Sequence, residues 1–64
     1  MKVKDLLKVL YKFTEIEIFE YRACNGEFFY QTGAVDEKYL DREIDKVGAS
    51  DSETNVIEIF LKKL

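Results

Sequence analysis

The chain contains no histidine, no tryptophan and no proline, and only one cysteine among its 64 residues. Without histidine, the usual general base and the Ser–His and Cys–His pairs of nucleophilic catalysis are absent. Cys24 alone can form neither an intramolecular disulfide nor a standard structural zinc site. The three glycines form no phosphate-binding loop. We therefore expect a non-enzymatic protein that uses no metal and no cofactor.

Long apolar runs are also missing. The longest runs span three residues, whereas a transmembrane helix needs roughly 20. Lys8 interrupts the short apolar stretch near the start of the chain, and no signal peptide is expected. A single cysteine fits a reducing compartment. These features predict a cytoplasmic location and no membrane partner.

Charge is distributed unevenly along the chain. The net charge is −3, but residues 1–12 carry +3, residues 13–60 carry −8 and residues 61–64 carry +2. Because only the N-terminal segment is basic, direct binding of nucleic acid is disfavoured. The acidic body is compatible with mimicry of a phosphate backbone, although an ordinary solvated surface explains the same charge and is preferred.

The first half of the chain predicts a helix followed by a β-hairpin. Apolar residues at helical spacing predict an α-helix over residues 2–12, and Phe13 can extend its apolar stripe. Residues 14–21 then alternate as a strand. The pair Asn25-Gly26 predicts a tight turn, after which residues 27–32 form the returning strand.

The middle of the chain predicts a short helical turn and a third strand. Asp36 can cap one helical turn within residues 34–41. Residues 42–49 can form a strand, with Ile44 and Val47 as its apolar residues. Their spacing fits a plain strand poorly, and a β-bulge between them would place both on one face.

The last part of the chain completes an α+β fold. A polar turn over residues 51–55 precedes a strand over residues 56–62. We expect one domain over residues 1–64, with the N-terminal helix packed on one face of an antiparallel sheet of about four strands. The predicted element order is helix, strand, strand, short helical turn, strand, strand.

Both faces of this sheet carry apolar side chains, although one helix covers only one face. Alternation assigns the following residues to the helix side: Ile16, Ile18, Phe28, Tyr30, Ile57, Ile59 and Leu61. It assigns a second set to the opposite face: Phe19, Tyr21, Phe29, Val56 and Phe60. Such a patch exceeds what a monomer normally exposes. We expect a homo-oligomer or a target protein to cover it, unless bulges or residues 34–41 do so.

Asp41, Glu43 and Asp45 alternate in the manner of a calcium-binding loop. The match fails at the position that requires glycine, where Lys46 stands. Alternating charge on the outer face of a strand explains the same residues and protects a sheet edge from aggregation. No metal site is therefore assigned to them.

Four segments carry a resemblance: residues 1–10, the strand Thr-Glu-Ile-Glu-Ile at 14–18, Tyr-Leu-Asp-Arg-Glu-Ile at 39–44 and Val-Ile-Glu-Ile at 56–59. Their order resembles small uncharacterised proteins encoded by phages and mobile elements of Gram-positive bacteria. The resemblance implies an accessory protein made in the cytoplasm of a bacterial host. Small acidic phage proteins of this kind include inhibitors of host defence, such as anti-CRISPR proteins.

The leading hypothesis is a non-enzymatic binding protein that inhibits a host nuclease or another defence complex by occlusion. Aromatic residues of the second sheet face would be buried anchors, and acidic residues between 36 and 45 would meet a basic surface of the target. The predicted partner-binding residues are Phe19, Tyr21, Phe29, Phe60, Asp36, Glu37, Asp41, Glu43 and Asp45.

Two alternatives remain open. A homo-oligomer could hold a small molecule, such as a signalling nucleotide, between its subunits, with Arg22, Arg42 and the N-terminal lysines as the available cations. A plain self-assembling structural protein would instead use the aromatic face for its own dimer.

Overall fold

A computed structural model describes residues 1–51 and 55–64. The elements within these residues are, in chain order, α1 Val3–Leu7, β1 Glu15–Phe19, β2 Glu27–Phe29, the 3-10 helices η1 Thr32–Ala34 and η2 Glu37–Tyr39, β3 Ile44–Ala49 and β4 Val56–Leu61. The α+β class and the predicted order of elements are confirmed. The polar turn predicted over residues 51–55 lies mostly outside the described residues.

The α-helix is much shorter than the predicted span of residues 2–12. It ends at Leu7, and the N–H of Val9 then bonds the carbonyl three residues back, at 3.0 Å. The β-branched Val9 and the aromatic Tyr11 and Phe13 are weaker helix formers than the leucines and lysines before them. As a result, Phe13 does not extend the apolar stripe of the helix but is exposed.

The four strands form one mixed sheet in the order β2-β1-β4-β3. The pairs β1–β2 and β3–β4 are antiparallel, as predicted, but the central pair β1–β4 is parallel. The connection over residues 30–43 returns the chain to the end of the sheet at which β2 begins, so that β3 runs in the same direction as β2. Because β1 is antiparallel to β2 and β4 is antiparallel to β3, β1 and β4 are parallel. The prediction of an antiparallel sheet is corrected at this pair.

The core lies between the sheet and the layer formed by α1 and the connection over residues 30–43. In the central pair, Ile16 is in register with Ile57 and Ile18 with Ile59, so these side chains share one face. Val3 of α1 packs with them. The buried core cluster comprises Val3, Ile16, Ile18, Phe29, Val35, Tyr39, Ile44, Ile59 and Leu61.

The faces predicted for β2 are wrong. The antiparallel register pairs Ile16 with Phe29 and Glu17 with Phe28. Alternation therefore holds along one strand, but across the hairpin the register decides which residues share a face. Phe29 is a core residue, in edge-to-face contact with Tyr39 at 5.9 Å between ring centroids. Phe28 lies on the opposite face.

The hairpin is confirmed, but its turn is not the predicted Asn25-Gly26 turn. Residues 20–26 connect the strands, and the left-handed residue of this connection is Arg22, with φ 62°. Gly26 is needed for a close approach, since a Cβ there would lie 2.5 Å from Cγ of Glu17. Its N–H instead donates to Oε2 of Glu17 at 3.2 Å.

Two local predictions in the second half are confirmed. Asp36 caps η2, and its Oδ1 accepts the N–H of Lys38 at 3.1 Å. In β3 the register shifts between Ile44 and Lys46, which is the predicted β-bulge. The bulge pairs Ile44 with Leu61 and Val47 with Ile59, so both apolar residues of β3 face the core side.

Candidate functional site

The face of the sheet turned away from α1 is here called the open face. Strand registers place nine residues on it: Glu15, Glu17, Phe19, Phe28, Lys46, Gly48, Val56, Glu58 and Phe60. Val56 is buried and Lys46 is exposed, and the other seven include the half-buried Phe19, Phe28 and Phe60. The open face combines aromatic rings with carboxylates, and it is the candidate functional site.

A phenyl stack forms the aromatic part of the open face. Phe19 and Phe60 are in register across the central strands, and their rings stack with centroids 4.8 Å apart at 10°. Lys46 is in register with Phe60, and its Nζ lies 5.1 Å from the centroid of that ring. Phe28 adds a third ring, 6.1 Å from Tyr30. The stack offers rigid apolar area in the middle of the sheet.

Two glutamates occupy neighbouring positions next to the phenyl stack, and the carboxylate of Glu17 is turned towards the start of β2, where its Oε2 accepts the N–H of Gly26 at 3.2 Å. Glu17 and Glu58 are in register on adjacent strands, whose backbones run about 4.8 Å apart. Within residues 1–51 and 55–64, neither forms an ion pair. Like charges placed opposite each other in a sheet destabilise it. The described part of the chain therefore carries two glutamates on this face that are not ion-paired within it.

Gly48 leaves the β3 edge of the open face flat. It is in register with Glu58, and a Cβ built on it would meet no atom within 4 Å. A glycine inside a strand often marks a point where another backbone or a ligand approaches closely. Beside Glu58, therefore, the sheet offers bare backbone.

Three of the four predicted aromatic site residues lie at or near this face. Phe19 and Phe60 form the stack, and Tyr21 follows β1 in the exposed hairpin connection. Tyr21 and Phe60 line a shallow groove of about 310 Å³ together with Asp45. Phe29, the fourth, is 9% exposed and belongs to the core. The structure therefore replaces Phe29 by Phe28 on the open face.

Two of the five predicted acidic residues are held in ion pairs within the chain. Nζ of Lys4 lies 2.9 Å from Oδ1 of Asp41, and the N-terminal ammonium lies 3.3 Å from Oε2 of Glu43. The hydrogen bond from Lys4 and its charge hold the pKa of the Asp41 carboxyl below its usual value. These two carboxylates already have cations of their own.

Of the other three predicted acidic residues, only Asp45 adjoins the open face, in the groove that it lines with Phe60. Asp36 caps η2, Glu37 lies exposed in η2, and Asp45 lies in the bulge of β3. The carboxylates that do lie on the open face, Glu15 with Glu17 and Glu58, were not predicted. Their alternation with isoleucine was visible in the sequence, but it is also the pattern of any solvated strand face.

Arg42, one cation of the nucleotide-binding alternative, is engaged within the chain. Its Nη1 donates to Oε1 of Glu20 at 2.7 Å, and its Nη2 donates to the carbonyl of Lys62 at 3.3 Å. This contact lowers the pKa of Glu20. Arg22, a second cation of that alternative, lies 5.0 Å from the ring of Tyr21.

A second depression, of about 550 Å³, lies on the core side of the sheet, where the helix ends early. It is lined by Tyr11, Phe13, Thr14, Asn55 and Ile57. Tyr11 is 69% exposed and Phe13 is 53% exposed. Their rings touch edge to face at 5.6 Å.

In the parts of the chain that the structure describes, no cluster of three or more acidic or cysteine side chains could hold a metal ion. No helix among those residues has the length and apolar character needed to cross a bilayer. Comparison with protein-family models, with curated proteins and with solved structures finds no match.

Proposed function

We propose that this chain is a non-catalytic binding protein that occludes a basic surface of a partner protein with its open face. The observation that carries the proposal is the stacked pair Phe19–Phe60 beside Glu17 and Glu58, two glutamates that form no ion pair among the described residues. Aromatic residues are common energetic anchors of protein interfaces. Carboxylates around them select a basic partner and speed the encounter.

A second copy of the chain fits the open face poorly. If two copies met through their open faces, three glutamates of one copy would face the same three of the other: Glu15, Glu17 and Glu58. Each copy would bring one lysine of this face, Lys46, to compensate them. Like charges at an interface disfavour association. The charge of the face therefore favours a basic partner over a homodimer built through this face.

A nucleic-acid-binding surface of a host nuclease or another defence complex has the required positive charge. An inhibitor of such a protein would act by covering that surface, with no chemical step of its own. This narrower proposal is the one suggested by the resemblance to phage and mobile-element proteins.

The proposal is tested by expressing the chain in a bacterium whose CRISPR system blocks entry of a targeted plasmid. The chain is expected to restore plasmid transformation. The double variant Phe19→Ser with Phe60→Ser should lose this effect. Tyr11→Ser, which removes an exposed ring on the core side of the sheet, is the control and should keep it. Unchanged inhibition by the double variant would contradict occlusion by the open face.

The solution mass provides a second test. Light scattering over a dilution series should give a monomer, because the open face repels its own copy. A stable dimer that dissociates in the Phe60→Ser variant would mean that a second copy occupies the face, and the proposed partner protein would be abandoned.

A further inference from the structure

The strand β3 lies at one edge of the sheet, and the start of its outer side is covered by backbone of the same chain. Lys2 forms an antiparallel bridge with Glu43, and the N–H of Ile44 donates to the carbonyl of Met1 at 2.9 Å. Residues 1–2 therefore lie beside the start of β3 as a neighbouring strand would. They show that this edge accepts an extended segment, and in which direction it runs.

Beyond the bulge, the outer side of β3 carries backbone groups without such a neighbour. The N–H of Ser50 donates to the carbonyl of Val56 at 3.1 Å, so these two residues are a hydrogen-bonded pair of the antiparallel ladder with β4. Because such pairs alternate, Gly48 also bonds to β4, whereas the N–H and C=O groups of Val47 and Ala49 point away from it. Among the described residues, neither Val47 nor Ala49 forms a backbone hydrogen bond outside the regular strand pairs.

The side chains of this stretch leave room for a second strand. Charged side chains protect a sheet edge from pairing, and the exposed Asp45 and Lys46 stand at the bulge. The three residues that follow are small and uncharged: Val47 is 45% exposed, and a Cβ on Gly48 would meet nothing within 4 Å. The strand at the other edge, β2, has only three residues. The end of β3 is therefore the better edge for pairing.

We propose that the edge of β3 from Val47 to Ala49 binds an extended segment of a partner protein as a fifth strand, antiparallel to β3 and in line with residues 1–2. Free N–H and C=O groups at a two-residue spacing match an extended backbone, which identifies the occupant. The partner residue opposite Val47 has its side chain on the core side, where a β-branched residue packs well against valine. The added strand lies in the plane of the sheet, so the inference goes beyond the proposed function of the open face and does not rest on it.

The proposal is tested with a capped six-residue peptide in which threonine alternates with valine. N-methylation of its threonines leaves the valine N–H groups free along one edge only, which keeps the peptide from pairing with itself on both sides. Saturating peptide should slow hydrogen exchange at the amides of Val47 and Ala49, whereas the amide of Gly48, already bonded to β4, should change little. A control peptide methylated at every residue should bind about tenfold more weakly or less. Equal binding of the two peptides, or protection centred on β2, would overturn the proposal.

A variant of the chain locates the binding on the backbone of this edge. Val47→Pro removes the outward N–H, and proline is tolerated in an edge strand where the N–H faces solvent. Circular dichroism should show a folded chain, while peptide binding should fall about tenfold or more. Val47→Thr keeps both the N–H and the β-branched shape, and this matched control should bind normally. Equal binding by the two variants would contradict the proposal, and if the proline variant does not fold, the two peptides on the unchanged chain decide.

The outcomes separate this inference from other uses of the chain. A dimer in light scattering that is lost in Val47→Pro would mean that a second copy occupies the edge, and the partner strand would be refuted. If Phe19→Ser with Phe60→Ser abolishes the effect on plasmid transformation but the two peptides bind equally, occlusion stands and strand addition is refuted. If the peptides differ as expected while the phenyl variants leave transformation unchanged, strand addition stands and occlusion by the open face is refuted.

Discussion

Glycines that look alike in the sequence have different roles in the structure. Gly26 approaches the side chain of Glu17 so closely that a Cβ would lie 2.5 Å from Cγ, whereas a Cβ at Gly33 would meet nothing within 4 Å. Neither glycine has a positive φ, so the difference is one of space and not of backbone strain. Substitution of each glycine by alanine can therefore compare the cost of crowding at Gly26 with the effect of an added side chain in open space at Gly33.

Gly26→Ala should lower the free energy of unfolding by about 1 kcal/mol, because the Glu17 side chain must move and lose the N–H of residue 26. Gly33→Ala should be neutral or slightly stabilising, since it only reduces the freedom of the unfolded chain. Urea unfolding of both variants measures the difference. Equal stability of the two variants would show that the contact with Glu17 is unimportant.

Tyr39 links the core to a charged residue at the sheet edge. Its side chain is 4% exposed, and its hydroxyl donates to Oε2 of Glu27 at 2.5 Å. Burial, followed by the hydrogen bond to Glu27 and the surrounding negative charges, raises the pKa of Tyr39 to about 12 from the ordinary 10.0. The folded state therefore prefers the neutral phenol more strongly than the unfolded state does.

This preference predicts a stability loss at high pH. The contribution of Tyr39 is fully present below pH 10 and is lost as the pH rises towards 12, by no more than roughly 3 kcal/mol. Tyr39→Phe should remove this part of the pH dependence. Denaturant unfolding of both proteins between pH 9 and about 12 tests it, and lysine titration affects both alike. Identical slopes would contradict the role of Tyr39.

At the scale of elements, the short connecting helix depends on one capping side chain. Asp36→Ala should cost about 1 kcal/mol of unfolding free energy, because the N–H of Lys38 loses its acceptor. Asp36→Asn, which keeps an oxygen at the same place, should be close to the wild-type chain in a thermal melt. A loss of stability in the Asn variant would instead point to the charge of Asp36.

Features that depend on a few neighbouring residues could be predicted from the sequence, whereas the end of the α-helix could not. The cap at Asp36 and the bulge after Ile44 were predictable because each is decided by a few neighbouring residues. The end of α1 at Leu7 was not, since the residues that follow retain helical spacing and differ only in helix propensity.

Pairing between distant strands was harder still to predict. The face of Phe29 depends on the hairpin register, and the direction of β4 relative to β1 depends on the path of residues 30–43. Alternation of apolar and polar residues is the same in parallel and antiparallel pairs of half-buried strands. Phe19 and Phe60 of the open face were therefore predicted from the sequence, but the two neighbouring glutamates of that face, Glu17 and Glu58, were not.

At the scale of the whole molecule, a small core leaves little reserve of stability. Ile59 is fully buried in the central strand β4. Ile59→Ala should cost about 2–5 kcal/mol and leave the chain largely unfolded at room temperature. Val47→Ala, at its cross-strand partner, which is 45% exposed, should cost far less. Circular dichroism of both variants distinguishes them, and a folded Ile59→Ala variant would contradict a core centred on β1 and β4.

The parallel pairing of β1 with β4 also bears on how the chain acquires its fold. Ile16 and Ile57, neighbours in the centre of the sheet, are separated along the chain by most of its length. Either hairpin formed alone would lack the strand that covers its apolar centre, and isolated hairpins are marginal in water. The rate of folding is then limited by closure of this long loop. On the ribosome, the sheet cannot be completed until β4 has emerged, so we expect the two hairpins to fold together in one cooperative step.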